Sequence, residues 1–165
     1  MPSPLGHVLG GVIVGMVASR PSRLDRTDYR TLGLATLAAC APDVDFLWGR
    51  HDAESHSLVV AVVAGLLVLA VTAGRQIRPA LAVTLAWSSH VLFDWLGSDT
   101  TPPIGVMALW PFTDAYFFAN AYLFDAISRR YWLPGFWAHN ILAVMREVVL
   151  LGPIVAVLVW VRRRR

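Results

Sequence analysis

Short clusters of arginine divide this chain into apolar segments, and this pattern limits the folds open to it more than any other feature. The mean hydropathy is +0.56 and 56% of the 165 residues are hydrophobic, against roughly 45–50% in an ordinary soluble domain. Apolar segments bounded by positive charge are typical of membrane helices, which satisfy their backbone hydrogen bonds internally. The pattern therefore predicts an all-α membrane protein.

Five apolar segments are expected to form helices, and we predict one domain, residues 1–165, built as a bundle of about five transmembrane helices. The segments are Leu5–Ser19, Thr31–Ala41, Leu58–Ala73, Ala80–Leu96 and Trp137–Val161. The first contains glycines at the small-x-x-x-small spacing that lets helices pack closely in lipid. The arginine-rich stretch Arg20–Arg30 that follows it is expected to form a polar loop.

The positions of the arginines predict an orientation. In a five-span arrangement, the arginines of the first connection, Arg75, Arg78 and the tail Arg162–Arg165 share one side. Cytoplasmic loops carry the excess of arginine, so the C-terminus is predicted to be cytoplasmic and the N-terminus outside the inner membrane. A basic chain can also bind nucleic acid, but arginines placed between apolar segments favour the membrane, and no nucleic-acid partner is expected.

The fourth apolar segment ends in a stretch that carries chemistry, Ser89-His90-Val91-Leu92-Phe93-Asp94. His90 and Asp94 are four residues apart, so on a helix they lie on one face in adjacent turns. An imidazole and a carboxylate at this spacing can bind the same metal ion. Ionisable groups are energetically costly at the end of such an apolar segment, which indicates a functional role.

Further candidate ligands fall on the same predicted side of the membrane. The predicted metal ligands are His7, Asp43, Asp45, His56, His90 and Asp94. Imidazoles mixed with carboxylates suit zinc, manganese or iron, and their number allows more than one ion. Taken singly, each has an ordinary interpretation as a helix-end or turn residue. The loop containing His51, Asp52 and Glu54 is expected to be solvated, without a metal ligand at Asp52.

Several short motifs together suggest a family. They are Gly6-His7, Pro42-Asp43-Val44-Asp45, Ser55-His56-Ser57, Ser89-His90-x-x-x-Asp94 and Leu109-Trp110-Pro111-Phe112. In this order they resemble the YdjM-like family of membrane-bound, predicted metal-dependent hydrolases. That family is distantly similar to zinc-dependent phospholipases C and fungal zinc nucleases, all-helical phosphodiesterases with a cluster of zinc ions. The ligands that the resemblance implies are His7, Asp43 or Asp45, His56, and His90 with Asp94.

Two departures limit what the resemblance implies. The family often reads His-Arg-Gly-x-Thr-His-Ser, whereas this chain reads His51-Asp52-Ala53-Glu54-Ser55-His56-Ser57, so a phosphate-binding role for that arginine does not transfer. The related phospholipases also carry a second His-x-x-x-Asp/Glu pair. Here Ala143 stands four residues after His139. Asp99, His139 or Glu147 are candidates to substitute, and the sequence does not choose among them.

The expected function is hydrolysis of a membrane lipid's phosphate ester, a diester or a monoester, at the outer face of the membrane. A bound metal ion activates water for such a reaction. Asp43 or Asp45 is expected to bridge ions, and the other to act as general base. Two non-enzymatic alternatives stay open: a structural metal site and a metal-ion transporter. A transporter needs a polar path through the bundle, which the third and fourth segments barely offer.

Overall fold

The computed structural model describes residues 1–19 and 26–164, and its regular secondary structure there is entirely helical. The helices are α1 Pro4–Ala18, α2 Arg26–Cys40, α3 Leu58–Val71, α4 Ile77–Leu96 and α5 Phe136–Arg163, with two 3-10 helices, Pro42–Trp48 and Glu54–His56. This architecture confirms the predicted all-α class over the described residues.

Serine side chains cap the N-termini of two helices. The Ser3 side chain accepts a hydrogen bond from the Gly6 N–H at the start of α1, and Ser57 caps α3 by accepting from the Val59 N–H, as N-cap hydroxyls commonly do. Helix α2 begins at Arg26, so residues 26–30 of the predicted polar loop are helical instead. The rest of that loop, residues 20–25, lies outside the described residues.

Small residues let α1, α2 and α4 approach closely. A Cβ atom added at Gly11 would lie 2.7 Å from the Thr36 Cα of α2, and one added at Gly15 would lie 2.9 Å from the Leu32 Cα. The buried core between α2 and α4 is mostly alanine, including Ala35 and Ala86. Close packing of this kind brings the polar ends of these helices within contact distance of one another.

Helix α5 differs from the other helices in length and exposure. Among the described residues it is the one helix long and apolar enough to cross a membrane by length and composition, with 28 residues, while α1 and α3 are shorter apolar helices. Large side chains on it, such as Trp137, Leu142 and Val149, are exposed. Length and composition therefore support one crossing, fewer than the five predicted from the sequence.

The irregular segment 97–135 joins α4 to α5 and covers the polar end of the bundle. Isolated bridges pair Gly97 with Phe124 and Val106 with Phe117. The Met107 N–H donates a hydrogen bond of 2.9 Å to the Asp52 carbonyl. This contact ties the segment to the loop that precedes α3.

Candidate metal centre

Ionisable side chains from four parts of the chain converge at one end of the bundle. We call them the His/Asp cluster: His7, Asp43, Asp45, Asp52, His56, His90 and Asp94. Six of these residues are buried, with relative exposures of 2% or less, and the Asp43 side chain is 29% exposed. Among the described residues, the structure thus brings together all six predicted ligands, which lie up to 87 positions apart in sequence (Asp94 and His7).

The centre of the cluster is a triangle formed by His56, His90 and Asp94. The two histidine Nε2 atoms are 3.0 Å apart. The Asp94 Oδ2 atom lies 2.9 Å from the His90 Nε2 and 3.5 Å from the His56 Nε2. A tetrahedral zinc ion with bonds of about 2.0–2.2 Å separates its ligand atoms by roughly 3.3 Å. The triangle therefore has the dimensions of one face of a metal coordination shell.

His7 and Asp43 extend this triangle. The His7 Nε2 lies 3.4 Å from the Asp94 Oδ1, and the His7 ring stacks on the His90 ring with centroids 3.7 Å apart. The Asp43 Oδ1 lies 3.8 Å from the His90 Nε2 and 4.0 Å from the His56 Nε2. One ligand atom each from His7, Asp43 and His90 fall within 4.8 Å of one another. These side chains can therefore reach a common ion.

Several buried polar atoms of the cluster have no hydrogen-bond partner among the described residues. They are the His7 Nδ1, Asp45 Oδ1, Asp52 Oδ1 and Asp94 Oδ1. A buried polar atom left unpaired costs about 1–3 kcal/mol, and more when it is charged. Because these atoms belong to side chains of one buried cluster, a cation bound there is a partner that would satisfy several of them. The mixed nitrogen and oxygen donors fit zinc, manganese or iron, so the residues fit a divalent metal ion.

Hydrogen bonds orient the two central imidazoles. The His90 Nδ1 lies 2.7 Å from the Ala39 carbonyl oxygen, so Nδ1 carries the proton and Nε2 presents its lone pair to the cluster. The His56 Nδ1 lies 3.1 Å from the Ser55 hydroxyl and 3.3 Å from the Asp45 Oδ2. Both rings are therefore held with Nε2 toward the shared centre.

The two carboxylates predicted to be catalytic occupy different positions. Asp43 faces the Nε2 atoms of His56 and His90, whereas Asp45 contacts His56 from its Nδ1 side and accepts a hydrogen bond of 3.0 Å from the Ser55 hydroxyl. Burial raises the pKa of Asp45, but the hydrogen bond and charge of His56 and the Ser55 hydroxyl bring the net pKa below its usual value. Asp45 is thus placed to orient His56.

Asp52 is buried, and the prediction that it lies in a solvated loop is wrong. Its side chain is 1% exposed, its backbone has a φ of +60°, and the Met107 N–H donates to its carbonyl. The Asp52 Oδ1 lies 3.5 Å from the His56 Nε2. Burial, together with the negative charges of Asp94, Asp99 and Asp45, raises the pKa of Asp52 to about 10.

The neighbours of Asp52 in the loop differ from it. Glu54 is partly exposed and pairs with Arg50 at 2.6 Å, which agrees with the solvated loop predicted there. The His51 side chain is 22% exposed, and its Nδ1 lies 3.1 Å from the Asp52 Oδ1. Burial and the positive charge of Arg129 lower the pKa of His51 to about 4. Only one side of this loop therefore faces the cluster.

The structure gives other partners to the three residues that were candidates to replace the missing second His-x-x-x-Asp/Glu pair. The Asp99 carboxylate accepts hydrogen bonds of 3.0 Å and 2.9 Å from the Thr101 and Gly105 N–H groups. The His139 Nε2 lies 2.7 Å from the Ala126 carbonyl oxygen. The Glu147 carboxylate accepts from Ser3. None of them belongs to a potential metal-binding group within the described residues.

The Leu109-Trp110-Pro111-Phe112 motif supports the loop that carries His56. The Ser57 hydroxyl donates to the Trp110 carbonyl, and the Leu58 N–H donates to the Ala108 carbonyl at 3.0 Å. On the other side, the Trp87 indole N–H donates to the Ser55 carbonyl at 2.8 Å. The motif therefore acts through backbone positioning, a role that its sequence did not reveal.

His51, beside the cluster, lines two cavities. The larger, of about 390 Å³, is also lined by Arg129, Arg130 and His139 and by the carboxylates of Asp99 and Asp125. The smaller, of about 310 Å³, is also lined by Asp52. The Arg129 guanidinium lies 3.9 Å above the centre of the Phe46 ring. The smaller cavity therefore adjoins the cluster at Asp52, whereas the larger contacts its neighbour His51.

Comparison with known proteins identifies the family. A family model described as YdjM inner membrane protein matches residues 1–164. The chain belongs to this family. The match extends through α5, beyond the residues 6–112 whose motifs carried the resemblance. No curated protein and no solved structure matches the chain. The family description assigns the chain to inner membrane proteins and names no reaction.

Proposed function

We propose that this protein is a membrane-bound, metal-dependent hydrolase that cleaves the phosphate ester of a lipid, either a diester or a monoester. The observation that carries the proposal is the His/Asp cluster, which holds buried donor atoms without hydrogen-bond partners among the described residues and adjoins a cavity at Asp52. Clusters of this composition at the edge of a cavity are typical of hydrolytic metal sites.

Each side chain has a role in this proposal. His56, His90 and Asp94 would hold a divalent ion, with His7 as a further ligand, and the ion when bound would lower the pKa of water toward 7. Asp43, whose side chain is 29% exposed, would bind the ion on the open side of the centre and orient the attacking water there. Asp45, buried behind His56, keeps that imidazole in position.

The larger cavity supports a phosphate-bearing substrate. Guanidinium groups suit phosphate because their donors match its oxygens in pairs. Arg129 and Arg130 line this cavity together with His51, and neither forms a salt bridge with a carboxylate among the described residues. By contrast, Arg146 is held by Asp125 at 2.9 Å. The membrane setting of the family makes a lipid the accessible source of such phosphate.

We further propose that the bundle crosses the membrane five times, with the cluster outside and the C-terminus in the cytoplasm. The support is the distribution of arginines. Helices α1 and α3, with 15 and 14 residues, span roughly 21–23 Å at 1.5 Å per residue. A hydrocarbon core is about 30 Å thick, so these crossings require a locally thinned bilayer.

A labelling experiment tests this topology. In a Cys40→Ser background, a cysteine replacing the exposed Arg50 should react with an impermeant thiol reagent in intact cells. A cysteine replacing Arg78 is the matched control and should react only after lysis. The reverse result would show that the cluster faces the cytoplasm.

The alternatives are a structural metal site and a metal-ion transporter. A structural site has every coordination position filled by protein, whereas a catalytic site keeps one open for water. The partial exposure of Asp43 and the cavity that adjoins Asp52 favour an open site.

The decisive experiment is an assay of purified protein in detergent, loaded with zinc or manganese. Phosphatidic acid serves as the monoester and phosphatidylglycerol as the diester. We expect phosphate or headgroup release that chelation abolishes and that His90→Gln loses, while Glu54→Gln, in the solvated part of the loop, retains it. Protein that holds its metal and releases nothing from either class of lipid would contradict the proposal and favour a structural site.

A further inference from the structure

His51 and Asp52 form a second group of donor atoms beside the triangle of His56, His90 and Asp94. Asp52 is 1% exposed, and its Oδ1 lies 3.1 Å from the His51 Nδ1. Neither atom makes a hydrogen bond among the described residues. Two buried donor atoms at this separation, neither with a hydrogen bond, are arranged as ligands of a common ion would be.

Asp43 and His56 connect this second group to the first. Ligand atoms of Asp43, His51 and His56 lie within 4.8 Å of one another, and Asp43 also belongs to the group with His7 and His90. The Asp52 Oδ1 lies 3.5 Å from the His56 Nε2. A carboxylate shared by two groups is placed as a bridging ligand, and two-metal sites hold their ions about 3.5–4 Å apart.

We propose that His51 and Asp52 bind a second divalent cation, which Asp43 bridges to the ion held by His90 and Asp94. The inference rests on the metal centre of the proposed function and is independent of hydrolysis. It assigns a role to Asp52, which stands where the related motif carries an arginine.

The test is Asp52→Asn in the full-length protein in detergent. Asparagine keeps the size of the side chain and tolerates the backbone φ of +60°, since Asn and Asp adopt this conformation more readily than other residues with a Cβ. After chelation and dialysis, the protein is titrated with zinc and with manganese, following metal content and binding heat. We expect two ions per wild-type chain, and for Asp52→Asn the loss of one or at least a tenfold weaker second step.

Two further variants make the result specific. His51→Gln should lose the same step as Asp52→Asn, whereas Asp94→Asn should lose the other. Glu54→Gln is the matched control, because this carboxylate of the same loop pairs with Arg50 at 2.6 Å, and it should bind two ions.

The outcomes separate this inference from the proposed function. One ion per wild-type chain, or two ions bound by Asp52→Asn and His51→Gln with wild-type affinity, would overturn the second site, even if the protein hydrolyses lipid. If Asp52→Asn and His51→Gln lose one ion and Asp94→Asn loses the other, but the wild-type protein hydrolyses no lipid, the second site is supported and the proposed hydrolase activity is contradicted.

Discussion

Asp94 and Glu147 are both buried carboxylates on apolar helices, yet their surroundings are opposite. Glu147, on α5, accepts hydrogen bonds from the backbone N–H and the hydroxyl of Ser3. Asp94, on α4, faces three histidines, and its Oδ1 has no hydrogen bond among the described residues. Burial of a charged residue alone therefore does not identify a functional site in this protein. What distinguishes the two carboxylates is whether the fold supplies their partners.

The Glu147 contact also explains how α5 joins the bundle. Ser3 is the N-cap of α1, so the Glu147 carboxylate lies at the positive end of that helix, where an anion is favoured. A Cβ added at Gly6 would lie 3.0 Å from the Glu147 carboxyl carbon, so the glycine makes room for it. Because His7 follows directly, this contact also helps to place a predicted metal ligand.

The largest expected effect is at Asp94. Asp94→Asn removes a charge at the point where three imidazoles meet, and metal affinity should fall by at least about 100-fold. Mutation of residues that only orient a metal ligand already costs about 10–100-fold in affinity, and Asp94 is proposed to bind the metal directly. Metal per chain after dialysis measures the change. Wild-type metal content in this variant would show that Asp94 is not a metal ligand and that it does not differ from Glu147 in this respect.

An intermediate effect is expected at Glu147. Glu147→Gln keeps the shape but weakens the bonds to Ser3, and the protein should lose about 1–3 kcal/mol of stability with unchanged metal content. Thermal unfolding in detergent, beside metal analysis of the same sample, checks both statements. Loss of metal at wild-type stability would instead make Glu147 part of the metal centre.

The smallest effect is expected at Arg129, in the larger cavity. The side chain is exposed and rests on Phe46, so an ion pair with substrate phosphate contributes only about 1 kcal/mol. Arg129→Gln should therefore raise KM for a phospholipid about fivefold, with kcat and metal content unchanged. Arg146→Gln is the control, since Arg146 already pairs with Asp125. Equal KM values for the two variants would show that the cavity does not select phosphate.

Much of the fold follows from local sequence. The bounds of α3 and α4 were predicted to within a few residues, because apolar runs and the Ser57 cap act over one or two helical turns. The contact between His90 and Asp94 was likewise predictable, since residues four apart on a helix always share a face. The convergence of His7, Asp43, His56 and Asp94 was predicted from the positions of helix ends, and the distances confirm it.

Only the tertiary structure decided which of the remaining polar residues enter the cluster. Asp52 was assigned to solvent because its neighbours are polar, but the segment 97–135 folds back over it and bonds its carbonyl. The different roles of Asp43 and Asp45, two residues apart, depend on which nitrogen of His56 each one meets. The partner of Glu147 is Ser3, 144 positions away. Such contacts depend on how distant segments pack, so the pattern of nearby residues does not predict them.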